Sequence, residues 1–175
     1  MTSENYFYEL NAVSILSATL LEMARTAPES SWETHLDQNL ILVPRELLRS
    51  DPILATFIDR FEPERRMMIF RTQPHCAYSW HVDRNRKAAI NMLLHGPDSI
   101  TFVGEKNLPG SSINPNSLHD LYRVPLTKDK YYLLNVGERH AVYNYGDQIR
   151  YLLSISVPLP DSYESVREFI KANNL

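Results

Sequence analysis

The feature that most constrains the fold is a change of hydrophobic pattern near residue 65. From there to residue 157, short stretches alternate apolar and polar side chains, and turn-forming residues separate them. The predicted strands span residues 66–72, 77–83, 88–95, 99–103, 121–126, 131–136, 139–144 and 148–157. Many short strands at this spacing are typical of a β-sandwich or jelly roll. We therefore predict a mainly β fold with a jelly-roll core.

Helices are predicted on both sides of this β region. An apolar stripe predicts a helix over 10–27, a capping pair before Pro52 predicts another that reaches residue 61, and 162–172 forms a closing helix. Residues 40–43 read as a short extended piece. A chain of 175 residues is large enough for one well-buried core. We expect a single domain over 1–175, with helical N-terminal support packed outside (1–64), the β core (65–158) and a C-terminal helix (159–175).

Charge and cysteine content limit the partners and the compartment. The net charge of −3 gives no electrostatic case for nucleic-acid binding, so a small molecule, a peptide or a protein is the expected substrate. Cys76 cannot form an internal disulfide, and the N-terminus lacks the basic start and continuous apolar stretch of a secretion signal. We expect a cytoplasmic protein without membrane contact. The oligomeric state is not predicted.

Two histidines and one aspartate have the spacing of metal ligands. His81 and Asp83 are two residues apart, so on a strand both side chains would leave the same face. His140 lies in another predicted strand. Two imidazoles and one carboxylate on one side of an ion are typical of non-haem iron sites with open positions. The other histidines have no partner at such spacing; they are His35, His75, His95 and His119.

Arg150 follows the third candidate ligand by ten residues. Gly146 and Asp147 form a turn signal between the last two predicted strands, which indicates a hairpin. In such a hairpin Arg150 would lie opposite or diagonal to His140 and Val142, at roughly 7 to 8 Å. A short dicarboxylate could then chelate the metal through a 2-oxo acid end and offer its distal carboxylate to the guanidinium.

This set of residues resembles the motif of the iron(II) and 2-oxoglutarate-dependent oxygenases, which have a double-stranded β-helix fold. The resemblance covers about residues 66 to 157. It implies that His81, Asp83 and His140 bind Fe(II) and carry the catalysis. It also implies that Arg150 binds the C5 carboxylate of the cosubstrate 2-oxoglutarate, with O₂ as oxidant and ascorbate as an optional stimulant. Tyr78 is similar to a tyrosine that prolyl-hydroxylase-like members have three residues before the first histidine.

Further cosubstrate contacts are expected near the arginine. Many family members have Ser or Thr two residues after it, where this chain has Leu152, and Ser154 lies one step further on the same face. Asn91 is a polar residue within an apolar run, so it either lines the cosubstrate pocket or is a hydrogen-bonded core residue. Tyr78 either donates its hydroxyl to 2-oxoglutarate or packs in the core. The basic stretch 84–87 either draws an anionic substrate toward the metal or is a solvated loop, and we expect the loop.

The resemblance implies a dioxygenase that hydroxylates an unactivated C–H bond of an amino acid, free or within a peptide or protein. Two alternatives remain open at this stage. Gly137, His140 and Asn144 also match a motif of the cupin superfamily, in which the glycine permits a tight entry into the histidine strand; a cupin-type metalloenzyme would not use 2-oxoglutarate. The second alternative is a jelly roll that binds a ligand without catalysis.

Residues 104–119 have no periodicity and form either a substrate lid or a surface connection.

Overall fold

The computed structural model describes residues 3–35, 38–62, 67–104 and 121–175. Within these ranges eleven strands and four α-helices are present. The strands are β1 (Phe7–Val13), β2 (Glu33–His35), β3 (Gln38–Leu42), β4 (Met67–Thr72), β5 (Ala77–His81), β6 (Ala88–His95), β7 (Ser99–Gly104), β8 (Leu121–Val124), β9 (Lys130–Asn135), β10 (Arg139–Asn144) and β11 (Arg150–Val157). The helices are α1 (Ser17–Thr26), α2 (Arg45–Leu48), α3 (Pro52–Phe61) and α4 (Tyr163–Ala172).

Two antiparallel sheets face each other. The major sheet has the strand order β1-β9-β6-β11-β4-β3-β2, and the minor sheet has the order β5-β10-β7-β8. Apolar residues of both sheets meet in one small core between them, which contains Ala89, Val103, Val124 and Leu134. The predicted mainly β jelly roll with accompanying N-terminal and C-terminal helices is thereby confirmed. No helix within the described ranges is long and apolar enough to cross a membrane.

Strand β11 lies at the centre of the major sheet and is buried on both faces. Successive side chains of a strand point to opposite faces. One set packs under the helices in the main core; it consists of Tyr151, Leu153, Ile155 and Val157. The other set points between the sheets and lines a cavity there; it consists of Arg150, Leu152, Ser154 and Ser156. The alternation explains why polar residues occur in an otherwise apolar strand.

The N-terminal region contributes strands as well as helices. The predicted helix over 10–27 is wrong in its first part, because Phe7–Val13 forms β1 and only Ser17–Thr26 is helical. β1 pairs with β9, with Phe7 opposite Leu134 and Glu9 opposite Tyr132. Pairing with a strand more than 100 residues away is not encoded in local periodicity. β2 and β3 extend the opposite edge of the major sheet.

A buried carboxylate connects α3 to the sheet. Asp51 is 1% exposed and caps α3, where Oδ1 accepts hydrogen bonds from the backbone N–H groups of Ile53 at 3.0 Å and Leu54 at 3.3 Å. Its Oδ2 accepts a hydrogen bond of 2.8 Å from the hydroxyl of Tyr131 on β9. Burial raises the pKa of Tyr131, so this hydroxyl remains a donor at neutral pH. Asp51 therefore fixes the helix layer against the major sheet.

Replacing Asp51 with alanine should lower the free energy of unfolding by about 3 kcal/mol, measured by chemical denaturation. About 1 kcal/mol comes from the lost cap. About 1 to 3 kcal/mol comes from the buried hydroxyls of Tyr131 and Ser14, which both lie within hydrogen-bond distance of Oδ2: one can still donate to the other, but the second hydrogen is left without an acceptor. Ser162 caps α4 through the backbone N–H of Ser165 at an exposed site, so Ser162→Ala should cost only the cap. Equal losses in the two variants would contradict the role assigned to Asp51.

Candidate metal centre

The three candidate metal ligands come together at one end of the minor sheet. His81 is the last residue of β5 and pairs directly with His140 on β10, and Asp83 lies two residues beyond the strand. The potential ligand atoms of the three side chains all lie within 4.8 Å of one another. His81 Nε2 is 3.7 Å from Asp83 Oδ1. The predicted strand over 77–83 ends at His81, so proximity of the pair comes from the turn after β5 rather than from strand alternation.

A β-bulge in β5 turns Tyr78 toward the same site. His140 pairs with His81 and Val142 pairs with Tyr78, so two residues of β5 lie opposite the single residue Ala141. In a regular strand, residues three apart point to opposite faces. The extra residue of a bulge changes this phase. Both side chains consequently line the cavity between the sheets, and their rings pack edge to face with centroids 4.2 Å apart.

Backbone carbonyls fix the orientation of both histidine rings. Nδ1 of His81 lies 2.8 Å from the carbonyl oxygen of Ser79, and Nδ1 of His140 lies 3.0 Å from that of Glu138. Because a carbonyl can only accept, each Nδ1 carries a hydrogen, and Nε2 is left as the nitrogen that could bind a metal. This is the arrangement found around metal-binding histidines, where a bond to the second ring nitrogen sets the tautomer.

The protonation state of His140 also suits metal binding. Burial lowers the pKa of His140 to about 4, and the neighbouring His81 contributes in the same direction. The ring is therefore neutral at neutral pH. A histidine must be deprotonated at the coordinating nitrogen to bind a metal, and His140 meets this condition without a proton having to be displaced.

Arg150 reaches the site from the other sheet, and the predicted hairpin of the last two strands is wrong. β10 belongs to the minor sheet and β11 to the major sheet. Asn144 ends β10, and its side-chain amide lies within hydrogen-bond distance of the carbonyl oxygens of Thr72 at 3.2 Å and Gln148 at 2.8 Å. These contacts direct the chain across from one sheet to the other. The turn signal at Gly146 was correctly placed, but local sequence does not say whether a turn closes a hairpin or crosses between sheets.

The guanidinium of Arg150 is buried without an acidic partner among the described residues. It is 0% exposed, its Nε donates to Ser99 Oγ at 3.1 Å, and its Nη2 donates to Thr101 Oγ1 at 3.1 Å. Nη1 is buried and has no hydrogen-bond partner within the described ranges. Burial lowers the pKa of Arg150 to about 10, so the group remains charged at neutral pH. A buried and incompletely hydrogen-bonded cation is unfavourable unless an anion or another acceptor compensates it.

Strand register gives the approximate spacing between Thr101, which contacts Arg150, and His140. On β7, Thr101 pairs with Val142 and Val103 pairs with His140. Thr101, whose hydroxyl contacts Arg150, thus lies two residues along β7 from the partner of His140. At a rise of about 3.3 Å per residue, the two residue pairs are about 7 Å apart along the strands. The two residue pairs, one of which contacts Arg150 through Thr101, are therefore separated by about the length of a short dicarboxylate.

A glycine allows the backbone of Arg150 to take its place. Gly96 has φ of +109°, and a Cβ atom there would lie 2.9 Å from both Cα and Cβ of Arg150. Only glycine combines this φ with such a close approach. Gly137, in contrast, does not have a left-handed φ, and the nearest atom to its added Cβ is the flexible side chain of Lys87. The expected conformational role of Gly137 is thus not seen.

A cavity of about 270 Å³ between the sheets contains all the candidate site residues. Its polar lining includes His81, Asp83, His140, Arg150, Tyr78, Asn91 and Ser154, and its apolar lining includes Leu40, Phe70 and Leu152. Asn91 is 6% exposed, and its Oδ1 is buried without a hydrogen-bond partner within the described ranges. Asn91 therefore faces the cavity with an acceptor available, instead of being a fully hydrogen-bonded core residue.

Arg86 is a site residue that the sequence interpretation did not single out. The stretch 84–87 was expected to be a solvated loop, yet the Arg86 side chain is 15% exposed and lines the cavity. Its Nε donates to Asp83 Oδ2, and its Nη1 donates to Ser156 Oγ. The prediction for the stretch is wrong at this residue; Arg84 is exposed as expected. The signal available in the sequence was an arginine three residues after a candidate ligand aspartate.

Of the predicted lid, residues 105–119 lie outside the described residues.

Comparison with known proteins gives similarity of structure only. No protein family model matches the chain, and no curated protein is significantly similar in sequence. A prolyl hydroxylase from Trichoplax adhaerens, solved with a peptide fragment of hypoxia inducible factor, is similar with TM-score 0.64 and 12% identity, over 88% of this chain and 84% of that one.

Two further solved structures support the same fold. A 2OG-Fe(II) oxygenase family oxidoreductase from Burkholderia pseudomallei has TM-score 0.60 and 15% identity, over 89% of this chain and 85% of that one. EvdO2 from Micromonospora carbonacea var. aurantiaca, in complex with 2-oxoglutarate, has TM-score 0.56 and 15% identity, over 91% of each chain. The chain thus has the double-stranded β-helix fold of the iron(II) and 2-oxoglutarate-dependent oxygenases.

Proposed function

We propose that this protein is an iron(II)- and 2-oxoglutarate-dependent dioxygenase that hydroxylates an unactivated C–H bond of an amino acid, free or within a peptide or protein. The observation that carries the proposal is the fully buried Arg150, which lines the same cavity as the His81, Asp83 and His140 cluster. Its Nη1 has no hydrogen-bond partner among the residues that the structure describes. A buried guanidinium beside a set of metal ligands suits a molecule that can chelate the metal at one end and offer an anionic group to the arginine at the other.

The donor set fits iron(II). Two neutral imidazoles and one carboxylate, with further positions left to small ligands, are typical of non-haem iron(II) oxygenases. His81, Asp83 and His140 would hold the ion through Nε2, Oδ1 and Nε2. When bound, iron and 2-oxoglutarate would supply the oxidising chemistry, in which O₂ and the cosubstrate yield succinate, carbon dioxide and a hydroxylated product.

The residues of the cavity fit 2-oxoglutarate. Arg150 Nη1 would donate to the distal carboxylate, while Ser99 and Thr101 hold the rest of the guanidinium in place. The spacing of about 7 Å between the Thr101 and His140 residue pairs would leave room for a five-carbon diacid. Leu152 and Phe70 would cover its methylene groups and exclude water. Tyr78, Asn91 and Ser154 would provide additional polar contacts.

The choice of an amino acid or peptide as substrate has less support. Tyr78 and the His81-Val82-Asp83 segment are similar to those of prolyl-hydroxylase-like oxygenases. The Trichoplax adhaerens neighbour was solved with a peptide bound. Both observations favour an amino-acid side chain, free or in a peptide, over other C–H substrates. The cupin-type alternative without an oxo acid gives Arg150 no anionic partner, and so we do not favour it.

Anaerobic addition of iron(II) and then 2-oxoglutarate tests the proposal. The bound pair should produce the visible absorption band of a metal chelate, and neither component alone should do so. Amino acids and peptides are then screened for those that increase succinate release. Iron binding without any effect of 2-oxoglutarate would point to the cupin-type alternative. Absence of iron binding would leave only a ligand-binding jelly roll.

A further inference from the structure

The connection between β5 and β6 carries a second arginine into the cavity beside the candidate metal ligands. Both ends of this connection are held by the turn before β10, because the N–H of Asp83 donates to the carbonyl of Val136 at 3.0 Å and the N–H of Gly137 donates to that of Lys87 at 3.2 Å. Between these two anchors the chain turns Arg86 inward. The position of this side chain is therefore set by backbone contacts that do not involve its charge.

The guanidinium of Arg86 is held on two sides. Its Nε donates to Oδ2 of Asp83. Its Nη1 donates to Oγ of Ser156 and lies 3.5 Å from Oγ of Ser154, both on β11 in the major sheet. The side chains of Arg86 and Asp83 are 15% and 16% exposed. The pair is thus largely removed from water, where a charge-assisted hydrogen bond holds its geometry more firmly than at a surface.

The two oxygens of Asp83 consequently have different roles. Oδ2 is occupied by Arg86, whereas Oδ1 points toward His81, with 3.7 Å between Oδ1 and Nε2. A carboxylate with one oxygen held in this way can offer only the other to a metal. This arrangement would keep Asp83 a ligand through one oxygen and would leave more coordination positions to other ligands.

We infer that Arg86 is a positioning residue that fixes Asp83 as a one-oxygen metal ligand. The inference rests on the proposed function, since it needs a metal at the three ligands. Arg86 has two opposing effects on the ion: its positive charge weakens binding, and its hydrogen bond fixes the ligand. Outer-shell partners of metal ligands typically contribute about 10- to 100-fold in metal affinity or activity, so the second effect is expected to dominate.

Cobalt(II) binding to the metal-free protein tests the inference without relying on turnover. Arg86→Gln should raise the dissociation constant of cobalt(II) about 10- to 100-fold. Arg84→Gln removes the same charge from an exposed residue two positions away and should change the constant by less than about two-fold. The visible spectrum of bound cobalt(II) should also weaken in Arg86→Gln, because the released Oδ2 can join the coordination and coordination number affects band intensity.

Arg86→Lys provides a second variant if the glutamine variant does not fold. It keeps the charge but has no planar fork to contact Asp83 and Ser156 together, and we expect an intermediate affinity. Thermal unfolding of each metal-free variant identifies a general loss of structure. Unchanged cobalt(II) affinity and spectrum in Arg86→Gln, or tighter binding, would overturn the inference while leaving the proposed function in place. Failure of the unmodified protein to bind cobalt(II) and iron(II) would overturn both.

Discussion

Replacing Arg150 with methionine should raise the 2-oxoglutarate concentration needed for half of the metal-chelate absorption by about 30-fold to several thousand-fold. Loss of one partner from a buried charged pair typically costs about 2 to 5 kcal/mol, and each 1.4 kcal/mol corresponds to about ten-fold in affinity. Iron(II) affinity in the absence of 2-oxoglutarate should change by less than about three-fold, because Arg150 is not a candidate ligand.

The same substitution should not destabilise the metal-free protein. Arg150 is a charged group that is 0% exposed and has no acidic partner among the described residues, so its burial is unfavourable until an anion binds. A methionine of similar length removes this cost, at the loss of the hydrogen bonds to Ser99 and Thr101. The melting temperature should therefore stay equal or rise. An arginine that served only the fold would give the opposite result.

Arg71 offers a matched control in the same sheet. It lies on β4 opposite Tyr151, donates to Glu29 through Nη1 at 2.8 Å, and stacks over Trp32 with 4.3 Å from its guanidinium carbon to the ring centroid. Unlike Arg150, this arginine already has an acidic partner, although its Nε has no hydrogen-bond partner among the described residues. Arg71→Met should lower the melting temperature and leave the 2-oxoglutarate requirement unchanged. If both variants lose cosubstrate binding equally, Arg150 does not contact the diacid.

The sequence was most informative where local pattern and fold agree. The strands predicted over 88–95 and 139–144 match β6 and β10 at both ends. β6 is fully covered by neighbours on both sides, and β10 begins directly after a turn. The ends of such strands can be read from the sequence, because the apolar run stops at polar or turn-forming residues. The three candidate ligands could also be chosen from residue type and spacing alone.

Pairing over long distances could not be read from the sequence. Phe7–Val13 has a pattern compatible with a helix, and it forms a strand only because β9 presents a free edge more than 100 residues later. The connection from β10 to β11 has the residues of a hairpin turn, yet the amide of Asn144 ties it to Thr72 and the chain crosses to the other sheet. Tertiary contacts decide such cases over local preference.

A related reason explains why Arg86 was not singled out. Charged residues in a short connection are usually solvated, and Arg84 is indeed exposed. Arg86 turns inward because two backbone hydrogen bonds to the turn before β10 hold the connection against the β core. The serines of β11 then lie within its reach. The turn residues that form these bonds, Val136 and Gly137, are far from Arg86 in sequence, and so are the two serines.

Replacing His140 with alanine should remove iron binding and substrate-coupled succinate release, by at least about 1,000-fold, equivalent to about 4 kcal/mol. His140 supplies one of three candidate ligands, and it is the most deeply buried of them. Its ring is neutral at neutral pH and is oriented by the carbonyl of Glu138, which leaves Nε2 to bind the metal. Iron content after anaerobic loading and gel filtration measures the loss directly.

His75→Ala is the control for this substitution. His75 is exposed and bonds to Asp147 at 2.9 Å, away from the candidate ligands, so iron content and succinate release should match the unmodified protein. Added imidazole, which could occupy the space left by the ring in His140→Ala, should restore part of the iron binding. Full iron content in His140→Ala would show that the metal binds elsewhere. Partial rescue by imidazole, in contrast, would identify His140 as a metal ligand. If the histidine had only a structural role, added imidazole would not be expected to restore iron binding.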